Sequence, residues 1–188
     1  MKGGISTASL CNKIVPISNL NIRVLSMDDW GMYKSLRLGS LEDSPDSFGS
    51  TLERETAYPD EEWMSRLDPS DRAASALPLV AELNNVPCGL AWGVVHDKSS
   101  KVAHVYQMWV KPDARNRGVG RKLLEAIILW ARDSHLRSLA LAVTTTNKEA
   151  VWLYRSSGFL SVGGTEPLRP GSVLMVQPMI LEISANVA

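Results

Sequence analysis

Cysteine is almost absent from this chain. Cys11 and Cys88 are the two present in 188 residues, too few and too far apart for a disulfide framework or a thiolate zinc site, which suits a reducing compartment. Histidine is nearly as scarce. His96, His104 and His135 show no ligand spacing, so no metal is expected. No apolar run approaches the roughly 18 residues that a membrane span needs. The opening "MKGGISTASLCNKIVPISNL" also lacks the continuous apolar centre of a secretory signal. It contains no acid and reads as a disordered tail over residues 1–20, ahead of one domain over 21–188; cytoplasm is the expected location. An excess of either charge is missing too: 20 Lys and Arg balance 20 Asp and Glu. That argues against nucleic acid or a membrane surface as partner.

What remains is an ordinary globular composition, 45% hydrophobic, long enough for one well-cored domain. "NIRVLSMDDW" reads as a short strand with a helix start at Asp28. "WGMYKSLRLGSLEDS" continues as a helix to Pro45, and "PDEEWMSRLDP" is a second helix between Pro59 and Pro69. The period then changes. "SALPLVAEL", "VPCGLAWGVVHD" and "KVAHVYQMWVKP" read as three consecutive strands joined by "NNVP" and "DKSSK" turns. A helix follows "RNRGVG", then the strand "SLALAVTT". "NKEAVWLYRSSG" is a helix capped by Asn147 and closed by Gly158. "FLSVGG" and "VLMVQPMILEI" finish as strands. The expected fold is a single α/β domain with a mixed central sheet flanked by helices.

One stretch is at odds with simple helix electrostatics. In "PDARNRGVGRKLLEAIILWARDS", Leu123, Leu124, Ile127, Ile128 and Ala131 form one helical stripe. Arg115, Arg117, Arg121 and Lys122 therefore crowd the helix N-terminus, where the dipole already favours anions. A multiply charged anionic partner would account for them: Gly118 and Gly120 allow close backbone approach, and first-turn N–H groups are free to meet phosphate. The stretch is neither a P-loop nor a dinucleotide fingerprint, because Leu123 stands where the third glycine of the latter would be. Alone, it is equally a solvated turn whose arginines pair with acids such as Asp113.

Strand, "RNRGVG" and helix together resemble the acetyl-CoA-binding core of the GNAT superfamily of N-acyltransferases. Its [R/Q]-x-x-G-x-[G/A] pattern is matched by Arg115, Gly118 and Gly120. "TTNKEAVWLYRSSGF" is similar to the next block of that family, with Asn147, Tyr154, Gly158 and Phe159 in register. The resemblance extends from Ile22 to Ile183. It implies the acyl-CoA N-acyltransferase fold and transfer of acetyl from acetyl-CoA, as co-substrate, to a primary amine of a small molecule or peptide in a ternary complex. It also implies cofactor contacts at Met108, Trp109 and Val110 on the strand, at Arg115, Asn116, Arg117, Gly118, Val119, Gly120 and Arg121 in the turn, and at Asn147.

Tyr154 is the expected proton donor to the departing thiolate, although beside Trp152 it also fits a packed aromatic. His104 falls where some family members carry a catalytic Glu, and is the candidate base, sharing a strand face with Tyr106 and Met108; a lone strand histidine is more often a structural one. Eight acids against the single base Arg54 between Glu42 and Glu62 suggest a cationic acceptor, or only a solvated helix face. Trp63, Trp92 or Trp109 are candidates for the acceptor wall, or for the core. A homodimer is compatible with the sequence. A CoA-binding sensor without turnover is the alternative function, and nucleic-acid binding through "RNRGVGRK" a more distant one.

Overall fold

A computed structural model describes residues 19–70 and 75–183. The expected tail lies outside them except for its last two residues, and Leu20 already opens the first strand. Five helices and eight strands carry the fold among the described residues: β1 (Leu20–Val24), α1 (Trp30–Asp43), α2 (Leu52–Thr56), α3 (Asp60–Leu67), β2 (Ser75–Leu83), β3 (Val86–Val95), β4 (Val102–Val110), α4 (Val119–Asp133), β5 (Ser138–Thr144), α5 (Lys148–Ser156), β6 (Leu160–Ser161), β7 (Glu166–Pro167) and β8 (Met175–Glu182). The sheet runs β1-β2-β3-β4-β5-β8-β6, with β7 also on β8. Every pairing is antiparallel except β4 with β5.

Strand alternation divides the interior into two cores. On β2, Leu79, Ala81 and Leu83 face one cluster with α4 and α5, whereas Val80 faces the other with α1 and α3. This is the period of two that places successive side chains on opposite faces. Val119, Leu123, Leu124, Ile127 and Ala131 seat α4 on the sheet, which is the expected stripe except that Ile128 is only half-buried and the helix starts two residues before Arg121. Gly93 makes the close approach possible. A Cβ there would stand 2.6 Å from Cζ3 of Trp130, closer than any side chain tolerates.

Three expectations need correction. Asp28 lies in a 3₁₀ turn over Met27–Asp29, not at the start of α1. A five-residue helix, α2, forms between the expected helices, with Thr51 accepting the Arg54 N–H. The "FLSVGG" strand shrinks to Leu160–Ser161.

Candidate active site

The site begins with a failure of strand pairing. β4 and β5 are in register only over Val102–His104 with Ser138–Ala140; beyond that point the two strands part. Gln107 sits at φ +52, and the β3–β4 register slips between Leu90 and Trp92. Such a bulge turns the strand and reverses its facing. Ala103 and Val105 join the core under α4, and so do Met108 and Val110, but Trp109 joins the opposite core. Met108 therefore does not share a face with His104, contrary to strict alternation. From Val105 to Val110 the β5-facing edge of β4 has no strand partner among the described residues; apart from the Val110 carbonyl, which Arg115 takes, its backbone groups are open to a ligand.

A cleft of about 1080 Å³ occupies this opening. β4 supplies Met108, Trp109 and Val110; the turn and the start of α4 supply Arg115, Asn116, Gly118, Val119, Gly120 and Arg121; α5 and its cap supply Tyr154 and Asn147. The sequence motifs thus converge on one cavity, with Arg117 and His104 outside its lining. At its far end Asn116 (φ +59) and Gly118 (φ +80) are both left-handed, a backbone shape that gathers N–H groups into an anion-binding nest. No side chain caps α4 at Gly118, so its first-turn N–H groups keep their capacity for an incoming anion.

The four cations do not act alike. Arg115 donates from Nε to the Val110 carbonyl at 3.0 Å and pairs with Asp43 at the end of α1. Asp43 also accepts the Trp109 indole N–H at 2.9 Å. Burial would raise the Asp43 carboxyl, but hydrogen bonds from Ser44, Trp109 and Arg115 hold it below the usual carboxylate range. Arg115 is therefore the clasp that fixes the turn. Lys122 pairs with Glu125 on its own helix at 2.9 Å. Arg117 and Arg121 remain without an acidic partner among the described residues.

Tyr154 is buried, edge-on to Phe159 with centroids 5.8 Å apart. Its hydroxyl has no hydrogen-bond partner among the described residues. Burial raises its pKa well above that of a free phenol, so the group stays protonated and available as a donor. Asn147 caps α5, accepting the Ala150 N–H at 3.1 Å, and its amide donates to Ser47 at 3.4 Å.

His104 is not alone. Its ring lies 5.3 Å from that of His96 and stacks on Tyr106 at 17°. The His96 Nε2 and the Tyr106 hydroxyl are 3.0 Å apart. Burial first, and His96 second, lower the His104 pKa; its Nδ1 is buried without a partner among the described residues. The histidines look isolated in the sequence, but the β3–β4 register, with Val94 opposite His104, brings them together.

Half of the acidic segment's eight acids are committed to ion pairs. Glu55 holds Arg37 by two hydrogen bonds at 2.6 and 3.0 Å in a buried pair. Asp60 pairs with Lys34, Glu62 with Arg66, and Asp43 with Arg115. Glu42, Asp46, Glu53 and Glu61 are left exposed, and none of the eight acids lines the cleft. Trp63, Trp92 and Trp109 are all buried in the core beside α1 and α3. Of the three, Trp109 alone borders the cleft.

Residues 40–159 match the acetyltransferase (GNAT) family, and the chain belongs to that family. A mycothiol acetyltransferase of Propionibacterium freudenreichii is 35% identical over 86 residues, covering 44% of this chain and 28% of that protein. The chain spans similarly small parts, 37% and 26%, of two other curated relatives. Among solved structures, a GNAT-family acetyltransferase from Streptococcus pneumoniae superposes with TM-score 0.74 at 26% identity, covering 88% of this chain and all of that one. Spermidine N-acetyltransferase from Vibrio cholerae, in complex with CoA and spermine, shares the fold at TM-score 0.72 and 18% identity, over 87% of this chain and 95% of that one.

Proposed function

We propose that the protein transfers the acetyl group of acetyl-CoA directly to a primary amine of a small molecule or peptide, both substrates being bound at once. The observation that carries this reading is the opening between β4 and β5, which joins an anion nest at one end to a protonated, unpartnered Tyr154 hydroxyl in the same cleft. The nest and Arg121 suit the pyrophosphate, and the free edge of β4 suits the amides of the pantetheine arm. The residues of the cleft fit acetyl-CoA as co-substrate.

The chemistry then follows in steps. An aliphatic ammonium with pKa near 10.4 must lose a proton, which costs about 4.6 kcal/mol at pH 7. The neutral nitrogen attacks the thioester carbon, and the negative charge moves to its oxygen. A backbone N–H of Met108, Trp109 or Val110 is the proposed donor to that oxyanion. The oxyanion reforms the carbonyl as the C–S bond breaks, the thiolate takes the Tyr154 proton, and the second proton shed by the attacking nitrogen restores the phenol. His104, kept neutral by burial, is the proposed proton acceptor, reached through water because it does not line the cleft. The exposed acids Glu42, Asp46, Glu53 and Glu61 would draw a cationic amine toward the groove by their field rather than by contact.

The test is amine-dependent release of free thiol from acetyl-CoA across a panel of primary amines. Tyr154→Phe is expected to lower kcat by about 10²–10⁴-fold with the acetyl-CoA dissociation constant unchanged. Binding of acetyl-CoA without turnover by any amine, or turnover indifferent to Tyr154, contradicts it.

A further inference from the structure

Trp152 is out of place for a hydrophobic side chain. It stands on α5 with 66% of its surface exposed, on the opposite side of the helix from buried Tyr154. Exposure of a single aromatic needs no explanation by itself; the position of this one does. Trp152 borders two clefts at once: the large one between β4 and β5, and a second of about 500 Å³ lined by Thr145, Lys148, Val151, Arg155 and Ser156.

Its neighbours are cationic. The Arg121 guanidinium lies over the indole ring at 5.8 Å from its centroid, and is steadied there by a 3.2 Å hydrogen bond to the Ser156 hydroxyl. Lys148 and Arg155 stand four positions before and three after Trp152, on the same helical face. Neither forms an ion pair among the described residues. Glu149 is the one acid in either lining. An exposed aromatic face with three cations around it, at the mouth beyond the anion nest, has the complementarity of a purine ring carrying a phosphate.

Resting on the acyl-CoA reading of the cleft, we infer that Trp152 is a stacking platform for the adenine of the acyl donor. Lys148 and Arg155 read the 3′-phosphate beside it, and Arg121 bridges from the platform to the pyrophosphate. The site therefore selects free acyl-CoA over acyl donors on a bare phosphopantetheine arm, which lack both base and 3′-phosphate. Because the platform is exposed, substituting it leaves the fold intact.

The experiment is a titration of the full chain, by calorimetry, with acetyl-CoA, 3′-dephospho-acetyl-CoA and acetyl-4′-phosphopantetheine. Trp152→Ala is expected to weaken acetyl-CoA about 10-fold, Trp152→Phe to keep most of the affinity, and acetyl-4′-phosphopantetheine to bind all three proteins alike. The wild-type preference for acetyl-CoA over its 3′-dephospho form is expected to vanish in a Lys148→Ala, Arg155→Ala double variant. Unchanged acetyl-CoA affinity in Trp152→Ala overturns the platform while leaving the cleft assignment standing. Absence of acetyl-CoA binding by the wild type removes both.

Discussion

Arg115 reaches across from the turn before α4 and closes on Asp43 at the end of α1. That pair joins the glycine-rich side of the cleft to the helix flanking the opposite face of the sheet. Asp43 holds the Trp109 indole as well, so one carboxylate fixes both the strand and the turn that border the cleft. Asp43→Ala is expected to cost about 1–2 kcal/mol of stability and to weaken acetyl-CoA binding. Arg115→Ala should act through the same contact, so the double variant should be less damaged than the sum of the singles. Urea unfolding of the four proteins measures this; strict additivity would contradict the clasp.

Arg37 and Glu55 form the buried pair that binds α1 to α2, with side-chain exposures of 5% and 4%. Arg37→Met leaves Glu55 buried, with the 3.5 Å contact to Arg66 as its remaining ion pair among the described residues. A loss of about 3–5 kcal/mol is expected. Replacing both residues by methionine should recover much of it, because the orphaned charge is then gone.

Gly118 holds φ +80 with open space where a Cβ would point. Strain there comes from the backbone alone. Gly118→Asn, which tolerates the left-handed region, should fold and retain acetyl-CoA. Gly118→Asp places a carboxylate at the proposed pyrophosphate site and should abolish binding while shifting the melting temperature little. Equal binding by the two variants would move the phosphates elsewhere.

His104 supplies a pH dependence with a definite sign. Its folded pKa lies below the unfolded value near 6.5, from burial first and the neighbouring His96 second, with Tyr106 stacked on its ring. The unfolded chain therefore binds more protons just below pH 6.5, and this contribution to stability is present above that pH and lost as pH falls through it. Melting temperature should decline from pH 7 toward pH 5.5, and the decline should be shallower in His104→Phe.

Much of this architecture is legible from local pattern. The α4 stripe, the Asn147 cap and the glycine at φ +80 before α4 each follow from a rule acting within one turn of chain. The Gln107 bulge does not, because glutamine carries no signal for a left-handed strand residue and the register slip is set by pairing with β3. The fate of Arg115 is equally hidden, since its partner Asp43 is 72 positions away. The same distance effect makes His96 and His104 look isolated and makes the acids between Glu42 and Glu62 look free. Charge density is visible in sequence; which charges are already paired is decided by tertiary contacts.

The central claim, that the cleft between β4 and β5 holds acetyl-CoA by its phosphates, is tested most directly by thermal unfolding with acetyl-CoA beside acetyl-pantetheine. At a hundredfold excess over the dissociation constant, a ligand of the native state adds about 2.7 kcal/mol, or roughly 5–10 °C for a domain of this size. A rise of that order with acetyl-CoA and little with acetyl-pantetheine is the predicted result. Equal shifts with the two would contradict the phosphate cradle, and no shift at millimolar acetyl-CoA would contradict the cleft as its site.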